Sequence, residues 1–404
     1  MKTIRACSFL AVTLLLASPH AAGHNNAGLT LGTAMDAALV ANYRNDEPVE
    51  AGEAWSIPGA MLGGEAIPAE QGASVDELMF TLSHVDENGV YALVKLASHH
   101  GSEAELEHGW VGYQLVSSEG AALQLEVGRM AGKFSPGNQV HADTRLMSDA
   151  PLALDVFFGR QYNDEGVRLL WNDQRGLLLG IEAWQGDAFP ASPGEDGGAV
   201  DLFLQYGQTN SRFSWTLGGW YMDAKADARS DTRYESGHSH GAAVVQDLSY
   251  TFTGDSTLYG VNLNLTWALS EHMDFSIGSE WFWQDVEGEI RDETRLAQLD
   301  GEINGGWVEP ALTYRQHTIG LRYERMTLVN DFTGAAGEAL AQEANLDNQG
   351  FNPERLSIAY RYQLQPALAL RAEWVSDEST PQSDDRFSLG IIWQKTLWSD
   401  RQSH

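Results

Sequence analysis

Between Thr257 and Trp398 apolar and polar side chains alternate with a period of two, run after run. Tyr259, Val261, Leu263, Leu265 and Trp267 are separated by Gly260, Asn262, Asn264 and Thr266. Past a turn at 269–273, Phe275, Ile277, Ser279, Trp281 and Trp283 interleave with Asp274, Ser276, Gly278, Glu280 and Gln284. Such alternation predicts strands with one apolar and one polar face. Runs of about ten residues ending in Trp or Tyr fit tilted strands that cross a bilayer, whereas strands of soluble sandwiches usually stop at about five or six. The pattern therefore predicts an all-β fold, a transmembrane antiparallel β-barrel.

The same reading places upstream strands at 29–43, 76–84, 89–98, 109–116, 121–130, 166–172, 176–184, 199–208 and 212–222, and a last one at 386–398. Short turns largely alternate with long polar loops at 44–74, 223–256, 286–305, 330–353 and 376–385. That rhythm belongs to barrels with short periplasmic turns and long extracellular loops, and the tally is about sixteen strands. An even number puts both ends of the barrel in the periplasm. Residues 24–404 read as one domain. The segment 131–165 carries an apolar piece of its own, Leu152–Phe158, and is expected to be ordered in part.

The first residues suggest the compartment. Lys2 and Arg5 precede an apolar core from Phe9 to Leu16, and small residues follow at Ala21 and Gly23. This is the form of a secretory signal peptide spanning 1–23. The only cysteine, Cys7, precedes the apolar core, so the mature chain has no thiol or disulfide chemistry. No later apolar run reaches about eighteen residues, which leaves a closed barrel as the way to span a membrane. The expected location is the outer membrane of a Gram-negative bacterium, with its lipid and lipopolysaccharide as partners. A net charge of -31 excludes nucleic-acid binding through the overall field. The acidic loops are either simply solvated or focus cations at the barrel mouth. Assembly as a homotrimer stays open, since Trp281, Trp283 and Trp374 on the apolar face suit lipid or a neighbouring barrel equally.

Val127-Gly128-Arg129, Lys133-Phe134, Gly159-Arg160 and Gly166-Val167-Arg168-Leu169 form a sequence of Gly-Arg steps on either side of 131–165. In these motifs the chain resembles the Gram-negative porins, and more narrowly the phosphate-selective porin O/P family. The resemblance implies that 131–165 folds into the lumen as a constriction loop.

The alternation also assigns lumen positions. If Ile319, Leu321 and Tyr323 meet lipid, Arg322 and Glu324 face the lumen; the same phasing turns Glu309, Arg315, Arg355, Arg361, Arg371 and Glu373 inward. A basic side chain on the lipid face at mid-membrane would cost about 2–4 kcal/mol. These groups either brace the barrel as ion pairs or face Asp143, Asp149 and Asp155 of the constriction loop across a charged, water-filled eyelet. Six histidines, His99, His100, His108, His141, His238 and His240, fall on expected outer loops. The His238-Ser239-His240 spacing, with His99 and His100, could hold Zn²⁺, helped by acids such as Glu103, Glu105, Glu107 and Glu235; exposed histidines that bind nothing are the plainer reading. No G-x-S-x-G, HExxH or Walker motif is present, and an enzyme is not expected. The expected function is an outer-membrane porin-like channel for passive diffusion of small hydrophilic solutes or ions. The alternative is a substrate-specific channel for a divalent metal (zinc) or metal chelate, with the histidine loops as capture site. A third class, a non-conducting structural barrel, would need a lumen filled by side chains.

Overall fold

A computed structural model of the chain describes residues 30–46, 56–68, 71–101, 103–118, 120–194, 197–231, 233 and 250–401. The expected signal peptide at 1–23 and the His238–His240 stretch lie outside the described residues. Among the described residues sixteen strands form one closed, wholly antiparallel barrel in which each pairs with the next. The first half runs β1 (Gly32–Arg44), β2 (Gly72–Val85), β3 (Val90–His99), β4 (Glu105–Ser117), β5 (Ala121–Ala131), β6 (Asn163–Asp173), β7 (Leu177–Trp184) and β8 (Gly198–Thr209). The second runs β9 (Phe213–Ser230), β10 (Thr251–Ser270), β11 (Met273–Arg291), β12 (Leu296–Tyr314), β13 (His317–Thr333), β14 (Glu354–Gln365), β15 (Leu368–Glu378) and β16 (Asp384–Ser399). Closure is made by β1 on β16, with Tyr43 opposite Leu389. The start of β1 meets the end of β2, Gly32 opposite Val85, so the sheet begins and ends at the rim of the short turns.

The outer face is a belt of exposed apolar side chains. One row passes from strand to strand through Leu125, Leu169, Ile181, Leu202, Tyr221, Tyr259 and Trp283. Another links Leu321, Ile358, Trp374 and Phe387. Leu202 is 55% exposed and Ile319 52%, values no water-facing monomer surface sustains around a whole circumference. Tyr259 and Trp267 stand near the two edges of the belt on β10; at about 3.3 Å per residue they are roughly 26 Å apart along the strand, which a tilt of about 40° projects to roughly 20 Å, so they lie inside an apolar band of about 25 Å. The chain is a transmembrane β-barrel of the outer-membrane type.

Strands β9–β13 are longer than alternation alone suggests, 17 to 20 residues each. Most of the loop expected at 286–305 is strand, as are the ends of the one expected at 223–256; of the loop expected at 330–353 only the first residues, to Thr333, are strand, and the rest carries a helix α1 at Gly337–Glu343. The reason is that the two faces exchange character beyond the belt. On β11, outward Trp281 and Trp283 give way to exposed Asp285 and Glu287, while inward Glu280 and Gln284 give way to buried Val286 and Ile290. Above the bilayer the outside meets water and the inside is filled: Phe252, Val286, Ile290, Ala297 and Leu299 cluster with Leu340 of α1 and Leu346.

The hairpin tip between β11 and β12 is tied to α1 by charge. Asp292 accepts the Thr294 amide (2.8 Å), the Arg295 amide (2.6 Å) and Arg295 Nε (2.7 Å), and Arg295 Nη2 reaches Glu343 (2.6 Å). The Thr294 amide and then the Arg295 side chain pull the Asp292 carboxyl down to about 2. Because this lies below the unfolded value of about 3.9, the clasp stabilises fully above that pH and is lost as pH falls through about 2. Protection of the Thr294 and Arg295 amides against hydrogen exchange should therefore be constant from neutrality to about pH 4 and vanish near pH 2. Undiminished protection at pH 2 would contradict the assignment.

Candidate functional site

The lumen is occupied by the segment between β5 and β6. Gly132 N donates to Tyr162 O (2.9 Å), and Asn138 staples the same base by donating to Gly132 O (2.8 Å) and Tyr162 O (2.9 Å) and accepting Tyr162 N (2.7 Å). Closed this way, the segment crosses the barrel and is held from many sides by wall carboxylates. Glu182 accepts Lys133 N (2.9 Å), Glu280 accepts Ser135 Oγ (2.7 Å) and the Gly137 amide, and Glu77 accepts Ala142 N (3.0 Å). Glu373 accepts Ser148 N (2.8 Å) and Glu324 the Leu152 amide, while Gln394 donates to Asp143 Oδ2 (2.7 Å). Each wall residue stands on the inward phase of its strand, so alternation puts it within reach of a backbone that would otherwise lack partners.

Leu152–Phe158, the apolar piece, is a helix lying inside the barrel, α2 here, every residue of which is buried. It ends at Gly159, whose φ of 56° and contact with the Gly63 carbonyl both require glycine. Its aromatic end packs into the β5–β13 side of the lumen. Phe158 lies 5.1 Å from Phe134, 5.7 Å from Trp220 and 5.7 Å from Phe282 between ring centroids. Tyr162, Trp184 and Trp307 extend the same core. This half of the lumen is a side-chain-filled, mainly apolar core, in which Tyr162 OH and Trp220 Nε1 are buried polar atoms without a hydrogen bond among the described residues.

The opposite half is charged. Glu324 lies between Arg322 Nε (2.9 Å) and Arg355 Nε (2.8 Å). Asp377 holds Arg386 (2.6 Å), which also reaches Asp149 (3.2 Å), and Arg44 pairs with Asp76 (2.6 Å). Arg322 Nη2 donates to Asp149 O (3.1 Å) and Arg355 Nη2 to Ala150 O. A small cavity beside Asp149 is lined by Arg44, Ser148, Val375, Arg386 and Ser388. Arg361 and Arg371 stand directly opposite each other on β14 and β15. Nε and Nη1 of both are buried without a hydrogen bond among the described residues; Glu373 is 3.9 Å from Arg371 Nε, and Asp143 is the acid that faces Arg361.

The structure thus gathers Arg322, Glu324, Arg355, Arg361, Arg371, Glu373 and Glu309 on one inner wall, against Asp143 and Asp149. Arg315 does not join them. It sits in the short turn before β13, exposed, with φ 55° and its guanidinium over Tyr314, because the turn interrupts the phasing that carried it inward. Asp155 is buried in α2 and bound to Arg160 Nε (3.1 Å), away from the arginine wall. Of the histidines, His100 turns toward Asp76 (4.0 Å) and His99 lies opposite Glu77 at the end of β3. His108 and His141 are not on outer loops: the first is an inward residue of β4 and the second belongs to the lumen segment. Arg44, Asp76, Asp377 and Arg386 were not singled out from sequence, although Tyr43 and Phe387 outward already imply Arg44 and Arg386 inward. The Gly-Arg steps have local duties as well: Gly128 (φ 136°) lets β5 approach Gly109 and Trp110, and Arg129 pairs with Glu165 (3.2 Å).

No protein-family model and no curated protein matches this chain. Among solved structures it is similar to the loop L8 deletion mutant of OmpT, an outer membrane protein of Vibrio cholerae, at 12% identity over 90% of this chain and 99% of that one, with a TM-score of 0.49. It is similar to the outer membrane channel DcaP of Acinetobacter baumannii at 14% identity over 91% and 96%, TM-score 0.49. It is likewise similar to Pseudomonas putida OprB at 11% identity over 91% and 94%, TM-score 0.47.

Proposed function

We propose that the chain is an outer-membrane channel for passive diffusion of small hydrophilic solutes or ions, and that the passage runs along the charged half of the lumen. The apolar half is sealed by interlocked rings, whereas the charged half is held by ion pairs and amide contacts that water and solute can replace. The opposed Arg361 and Arg371 carry the reading. Two like charges facing each other across a strand pair are unfavourable unless something neutralises them, and buried guanidinium nitrogens without partners call for an anion or water. An eyelet built this way favours anions over cations, despite the acidic total.

The test is the reversal potential of the refolded protein in a planar bilayer under a salt gradient. Anion preference is the expected result. Replacing both arginines (R361Q with R371Q) should move the reversal potential toward the cation side. No conductance in the unaltered chain would defeat the channel reading, and an unmoved potential would remove the two arginines from the path.

A further inference from the structure

Below the outer rim, where β2–β4 face the lumen segment, two imidazoles and two carboxylates converge. His141 Nδ1 lies 3.1 Å from Glu107 Oε1 and 3.8 Å from Glu77 Oε1, and His108 Nε2 lies 4.0 Å from Glu107 Oε1. Donor atoms of Glu107, His108 and His141 all fall within 4.8 Å of one another, as do those of Glu77, His99 and Glu107. Glu77, Glu107 and His108 are each more than nine-tenths buried. Glu107 Oε2 has no hydrogen bond among the described residues, its neighbouring cation being Lys95 Nζ at 3.5 Å. The Asn163 side chain borders His108 and donates to the Glu107 carbonyl (2.9 Å).

We propose that Glu107, His108 and His141 bind a divalent transition-metal ion of the zinc class, with Glu77 or water completing the shell. Two imidazole nitrogens and a carboxylate oxygen are a donor set that suits Zn²⁺, Co²⁺ and Cu²⁺ and disfavours Mg²⁺ or Ca²⁺. Bonds of about 2.1 Å at a tetrahedral centre set donor atoms roughly 3.4 Å apart. The spacings of 3.1 and 4.0 Å lie on either side of that value, and all three donors lie within 4.8 Å of one another, so side-chain shifts of about an ångström bring them to a common ion. Charge agrees: two carboxylates, Glu77 and Glu107, face the one lysine, Lys95, and a dication bound by imidazole nitrogens would offset the excess negative charge. Since His141 belongs to the lumen segment and Glu107 and His108 to the wall, the ion ties the segment to β4. The site uses none of the residues His238–His240 and does not depend on the selectivity argued above.

The test uses full-length protein refolded in detergent without an affinity tag and titrated with Co²⁺, then Zn²⁺. The expected result is saturable visible ligand-field absorption of a tetrahedral ion, which Zn²⁺ abolishes. His108→Ala and His141→Ala should each weaken binding by about tenfold or more, and H238A with H240A should not. Absence of the bands in the unaltered chain overturns the proposal, as does binding that survives His141→Ala and is lost in the His238 and His240 variant. In the bilayer, Zn²⁺ should lower channel fluctuations by pinning the segment, but the optical readout stands even where the protein does not conduct.

Discussion

Glu324→Ala is expected to lower the stability of the folded barrel by about 3–5 kcal/mol and to release the lumen segment. Glu324 is fully buried and joins three partners: Arg322 Nε at 2.9 Å, Arg355 Nε at 2.8 Å and the Leu152 amide at the start of α2. Its removal leaves two buried guanidiniums without their shared counter-charge, and an uncompensated buried charge costs more than the pair itself contributes. Water entering from the neighbouring cavity would solvate them in part, which sets the lower end of the range. The checks are the urea midpoint in detergent micelles and the single-channel conductance, which should fall and rise respectively. Glu324→Gln keeps an acceptor for Leu152 and should fall between the two. An unchanged midpoint together with an unchanged conductance would mean that the segment is held by its apolar side alone.

Phe158→Ala tests that apolar side, with an expected loss of about 3–5 kcal/mol. Phe158 stands among Phe134, Phe157, Tyr162, Trp220 and Phe282, and is fully buried. Truncation removes the ring's transfer free energy and leaves a cavity that its neighbours, fixed on strands, on α2 or at the hydrogen-bonded base of the lumen segment, cannot collapse into. Trp220, 4% exposed, reports locally: its fluorescence should shift to the red as water enters. Phe158→Leu keeps most of the volume and should lose much less. Equal stability of the alanine variant would show that the aromatic half is not packed tightly enough to exclude solute.

Much of the inner wall could be read from the chain because the side-chain period of a strand is two. Ile319, Leu321 and Tyr323 outward force Arg322 and Glu324 inward, and the structure has them 1% and 0% exposed. The phasing failed at Arg315, where a two-residue turn breaks it, and it set strand ends too early in β9–β13. There the alternation continues but its polarity inverts: Glu287 outward is exposed to water and Val286 inward is buried, so a reading that equates apolar with outside stops at Trp283. Loop composition points His108 and His141 to outer loops, where the structure does not have them. Nothing local distinguishes a loop histidine from one on a strand beginning at Glu105, and nothing in the sequence brings 141 to 107.

What the sequence determined by itself is what depends on neighbours along the chain: period-two strands, their short turns, the closed barrel with its apolar belt, and which side of each strand faces in. The tertiary structure alone decided what fills the barrel. The lumen segment takes its partners from β2, β7, β11, β13, β15 and β16, strands separated from it by up to most of the chain's length. Which half of the lumen is apolar and which is charged, and which histidine meets which carboxylate, follow from barrel closure. Closure sets opposite walls at a fixed distance across the lumen, and no local periodicity encodes that distance.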